Sequence, residues 1–151
     1  MKPLVVLLCV FGVALGLIKL LSGDFDFALA GNIAMAAMLV FTAIGHFAFS
    51  KGMAMMMPDV IPFKKAIVYL TGVIEIAAAI GLLIPSLRLL TGWLLILFFI
   101  AILPANINAA MKNIDYQKAD NNGDGMNYLW FRIPLQIFFI AWVYFSNGGF
   151  A

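Results

Sequence analysis

Residues 66–84 read AIVYLTGVIEIAAAIGLLI, nineteen positions of which only Glu75 is charged. An α-helix needs about 20 mostly apolar residues, at 1.5 Å each, to cross roughly 30 Å of hydrocarbon. This stretch has that length, and it lacks the strict apolar/polar alternation of a barrel strand. A charge at mid-bilayer costs about 2.5–3.5 kcal/mol on insertion scales and is a functional candidate wherever it occurs. The segment therefore predicts a membrane helix that carries Glu75 at a cost.

Four further segments read the same way: 4–21, broken only by Lys19, then 27–49, 89–111 and 128–145. Turn residues separate them at Ser22-Gly23-Asp24, Pro85-Ser86 and Asn121-Asn122-Gly123-Asp124-Gly125. The expected fold is all-α, a polytopic transmembrane bundle of five helices forming a single domain over 1–151. The first span is the weakest, because Ala28-Leu29-Ala30 superficially resembles a signal-peptidase site. Asp24, Phe25, Asp26 and Phe27 are poor neighbours for cleavage, so the segment is read as a fifth helix.

Composition supports this reading. Of 151 residues 65% are hydrophobic and 11% charged, with a mean hydropathy of +1.07, whereas soluble domains run about 45–50% apolar and roughly 25% charged. A water-soluble enzyme and a disordered chain are both excluded. The net charge of +2 has no dense basic cluster behind it, so nucleic acid is not an expected partner. Cys9 is the one cysteine, so the chain has no intramolecular disulfide or CxxC pair, and catalysis by a thiol is not expected.

Lysine and arginine set the expected orientation. Lys2, Lys51, Lys64, Lys65, Lys112 and Lys118 fall on the side of the N-terminus; Arg88 falls opposite, with Lys19 if it snorkels outward. This places the N-terminus in the cytoplasm and the C-terminus outside.

The polar residues within the spans are few: Asn32, Thr42, His46, Thr71, Glu75, Asn106, Asn108, Arg132 and Gln136. In an up-and-down bundle His46, Glu75, Asn106, Arg132 and Gln136 lie in one half of the membrane, on four helices. Thr42 and His46, Thr71 and Glu75, and Arg132 and Gln136 are each four apart and so share a face. Side chains lean toward the N-terminus of their helix, which tilts Glu75 toward His46 and Asn106. The expectation is one buried polar pocket, a ligand or proton site, lined by His46, Glu75, Asn106, Arg132 and Gln136. Its plain alternative is a Glu75–Arg132 pair that only fixes helix register. Paired with Arg132, Glu75 would be ionised; left alone it would be neutral. Pro104 and Pro134 remove helical hydrogen bonds within their spans.

Two other signals carry less. Asp120-Asn121-Asn122-Gly123-Asp124-Gly125 opens like a calcium loop, but its twelfth position is Phe131 rather than a bidentate acid, so a solvated turn is expected. Met53, Met55, Met56 and Met57 could offer soft ligands. The segment 51–65 reads better as an interfacial stretch, with methionines in lipid and lysines at head groups. No metal is expected.

Several motifs together resemble the DoxX family: Gly45-His46-Phe47, Met56-Met57-Pro58 with Pro62, Thr71-Gly72 with Glu75, and Gly81-Leu82-Leu83-Ile84-Pro85. Pro104-Ala105-Asn106-Ile107-Asn108 and Arg132-Ile133-Pro134-Leu135-Gln136 complete the set. The resemblance spans about 32–144. It implies a four-helix core, to which the N-terminal helix is an addition, and a small multi-pass protein of the bacterial inner (cytoplasmic) membrane. Family relatives include subunits linked to thiosulfate:quinone oxidoreduction, and a distant animal relative assists receptor assembly. The expected function is a non-catalytic accessory or binding protein whose pocket holds a quinone, a lipid or a partner helix. The alternatives are a subunit of a quinone-linked oxidoreductase working with a redox partner, a proton-coupled transporter, and an assembly chaperone. The chain carries no flavin or haem motif of its own, so electrons would have to arrive through that partner. Lipid is the expected surround, and a homo-oligomer is compatible with the chain.

Overall fold

The structure, a computed structural model, describes residues 2–147. Seven helices account for most of them: α1 (Lys2–Ser22), α2 (Phe27–Ala48), α3 (Ser50–Met56), α4 (Lys64–Leu83), α5 (Arg88–Ala101), α6 (Leu103–Met111) and α7 (Met126–Ser146). Five helical spans are long and apolar enough to cross a membrane, α5 and α6 together making the fourth, Arg88–Met111. The fold is an all-α bundle.

Two features depart from five plain rods. The fourth span breaks at Ile102, because Pro104 begins a new helix at its first turn and has no N–H to give the carbonyl of Ile100. After α2 the chain turns at Phe49 and forms the short helix α3, where the sequence suggested only an interfacial stretch.

The central element is α2. Half of its apolar window is buried, against 11% for α1. Ala30, Ala34, Ala36 and Ala43 on α2 are small enough to admit neighbouring helices at close range. Gly72 of α4 meets it so closely that a Cβ there would stand 3.0 Å from the His46 Cβ and 3.2 Å from the Phe47 ring. Against its other side, Trp142 donates to the Gly31 carbonyl (3.1 Å) and Asn32 donates to the Ser146 carbonyl (3.0 Å), which fixes α7 along α2. Asn32 is thus a clasp at the end of the bundle remote from His46. The core between these helices is formed by Met35, Met38, Leu39, Leu82, Leu95, Phe99, Leu135 and Phe139.

Leu17, Leu20, Leu21, Leu90, Leu94, Leu97 and Phe145 point outward and are exposed. Such a coat is unfavourable in water and natural in lipid. At the end of α1, Lys19 donates to the Gly23 carbonyl, reaching past its own span to the turn that follows.

Candidate functional site

The starts of α1, α4 and α7, the end of α2 and the junction of α5 with α6 meet at one cavity of about 420 Å³. That volume lies within the range of about 300–1,000 Å³ typical of small-molecule sites. All five residues singled out from the sequence line it: His46, Glu75, Asn106, Arg132 and Gln136. The walls between them are apolar, with Met38, Leu39, Phe99, Leu135 and Phe139 on the side of the core.

The acid half of the site lies between α2 and α4. Glu75 is buried, and its Oε1 lies 3.4 Å from His46 Nε2. On the other side of the ring, His46 Nδ1 is 3.0 Å from Thr71 Oγ1. Thr71 spends its one hydroxyl proton on the Val68 carbonyl at 2.8 Å, so it accepts from His46 Nδ1–H. With Nδ1 protonated, the contact between Nε2 and Oε1 holds when one proton lies between them, either as imidazolium and carboxylate or as imidazole and carboxylic acid. The couple then has no net charge in either form, and Glu75 Oε2 is an acceptor in both. Oε2 is buried and has no hydrogen-bond partner among the described residues.

The amide half lies between α6 and α7. Tyr128 donates to Asn106 Oδ1 at 3.2 Å, and Asn106 Nδ2 donates to Gln136 Oε1 at 3.3 Å. This directed chain leaves Gln136 Nε2 as a donor with no partner among the described residues. Arg132 stacks over the Tyr128 ring, 6.0 Å from its centroid. The Glu75–Arg132 pair of the alternative reading does not form among the described residues. The partner of Glu75 is His46, held in reach by the close α2–α4 contact at Gly72, and Arg132 has no acidic partner among the described residues.

Sequence reading missed Tyr128, Tyr116, Gln117 and Lys2, all of which line the cavity. Tyr128 was detectable, since it sits four residues before Arg132 and eight before Gln136, on one face. The other three reach the site only through tertiary folding. The methionines also depart from expectation. Met53, Met56 and Met57 roof the cavity instead of entering lipid, and Met56 is buried against Ala109 and Ile114. The reason is α3, which turns its apolar face inward and is tied to α6 where Asn108 donates to the Met56 carbonyl at 2.8 Å. In the stretch that resembles a calcium loop Asp120 turns to the local backbone, accepting from Asn122 N–H at 3.0 Å, and the nearby Asp115 accepts from Gln117 N–H at 2.9 Å.

Beside the roof, Asp59 accepts from Lys112 at 2.6 Å and Lys64 at 2.9 Å, joining the α3–α4 loop to both neighbouring helices. Hydrogen bonds from Lys112, then from Lys64, pull its carboxyl down from 3.8 to about 2. A carboxyl lowered on folding stabilises above its unfolded pKa, and that contribution is lost as pH falls through the folded value. Amide exchange in 57–63, corrected for its intrinsic rate, is expected to stay constant from pH 7 to about 4 and to rise toward pH 2. Asp59→Asn should raise it already at neutral pH.

An all-α bundle with five apolar spans and a polar cavity at one end is the class of protein that this geometry defines. The chain belongs to the family described as domain of unknown function DUF8561, whose model matches residues 35–147. The matched region holds every polar residue of the cavity except Lys2, and α1 lies ahead of it. No similar protein was found among curated proteins or among solved structures.

Proposed function

We propose that this chain is a non-catalytic accessory protein of a membrane, whose cavity holds a lipophilic ligand, a quinone or a lipid. The observation that carries the reading is Glu75, a residue in the wall of a ligand-sized cavity whose Oε2 is buried and has no partner among the described residues. A buried polar atom left unpaired costs about 1–3 kcal/mol, and an occupant that donates to it recovers that cost. A register lock alone would use both carboxylate oxygens and would not need amides from two further helices. The lysines gathered on the N-terminal side favour a cytoplasmic opening, and the resemblance to DoxX proteins favours a bacterial inner membrane.

Native mass spectrometry of the protein extracted with its lipids tests the reading. A retained quinone or lipid is expected in the native protein, and its loss is expected in Glu75→Ala and Arg132→Ala. If both variants keep the same cargo as the parent chain, the cavity is not its site.

A further inference from the structure

Resting on the cavity as a ligand site, we propose that its occupant is a single-chain anionic amphiphile whose head group also bears a hydroxyl, of the acyl glycerophosphate class. The polar groups facing the cavity are unequal in kind. Lys2 and Arg132 line it as cations, and Glu75, in contact with His46, is the one acid among its described lining residues. The cavity lining is therefore net positive and asks for a negative head group. Arg132 presents a guanidinium with no acidic partner among the described residues, and a guanidinium pairs bidentately with phosphate or carboxylate. Gln136 Nε2 adds a donor, because Asn106 occupies its oxygen. Against these donors stands one buried acceptor with no partner among the described residues, Glu75 Oε2, in need of a hydroxyl. A neutral ligand would leave the two cations unanswered, and a simple fatty acid carboxylate would leave Oε2 unanswered. Phosphate and hydroxyl on one head answer both. The apolar wall of Met38, Leu39, Phe99 and Phe139 accommodates the chain.

The experiment uses the full chain in phosphatidylcholine nanodiscs, titrated with three probes and read by native mass spectrometry. The probes are 1-palmitoyl-glycerol 3-phosphate, 1-palmitoyl-glycerol and palmitate. The phosphate is expected to bind at least about tenfold more tightly than the glycerol, the scale of one charge-assisted contact. Arg132→Gln should erase that difference, Arg132→Lys should restore part of it, and Lys2→Gln, at an exposed position, should lower it with the fold intact. Palmitate is expected to bind more weakly than the phosphate. Equal binding of phosphate and glycerol, undiminished preference in Arg132→Gln, or palmitate binding as tightly as the phosphate overturns the proposed head group while leaving a ligand cavity in place. Failure of all three probes to bind overturns the cavity as a lipid site as well.

Discussion

Gly52→Ala is expected to open the roof of the cavity and to destabilise the protein by at least about 1–3 kcal/mol, the usual range for overpacking. Gly52 is buried in α3, and a Cβ on it would overlap the backbone carbonyl of Tyr116. A side chain in the way can change rotamer; a carbonyl within a folded loop can move only with its backbone. Separating α3 from that loop displaces Met53 and Met56 on one side and Tyr116 and Gln117 on the other, all lining the cavity. Thermal unfolding in detergent should show the loss, and amide exchange should rise together in 50–56 and 112–125. Gly12→Ala provides the contrast, since a Cβ there meets nothing within 4 Å and no destabilisation is expected. An unchanged melting profile for Gly52→Ala would mean that α3 does not press on the loop.

Glu75→Leu separates a ligand site from a register lock. If Glu75 only locked helices, its loss would destabilise strongly, because removing one partner of a buried pair typically costs about 3–5 kcal/mol. Here the outcome is expected to be neutral or stabilising. His46 keeps its bond to Thr71 and can remain as neutral imidazole, and the unpaired Oε2 disappears with the carboxyl. Replacing such a group with an apolar side chain removes a desolvation cost of about 1–3 kcal/mol. Cargo binding should fall by about tenfold or more, as expected for a deleted hydrogen bond to a charged group. Thermal stability and bound cargo, measured on the same preparation, should thus move in opposite directions. A parallel fall in both would favour the lock.

The five spans were legible because lipid solvates no backbone polar group, so a crossing helix must be continuously apolar and long. That constraint is written locally, in residues 66–84 as in the other four stretches. The candidate site was legible for the same reason. Where nearly everything is apolar, His46, Glu75, Asn106, Arg132 and Gln136 stand out, and helical spacing and antiparallel order already place them in one half of the bundle.

Which of these groups bond to one another lay beyond the sequence. The chain fixed how deep Glu75 sits, but the partner of its carboxyl depended on an angular relation between helices. The close approach of α4 to α2 at Gly72 gave Glu75 to His46 and left Arg132 stacked on Tyr128. The inward turn of the methionines and the arrival of Lys2, Tyr116 and Gln117 at the cavity were decided the same way. Depth along a helix follows from residue number, at 1.5 Å per step. Rotation and tilt between helices depend on side-chain packing among residues far apart in the chain, and only the folded bundle sets them.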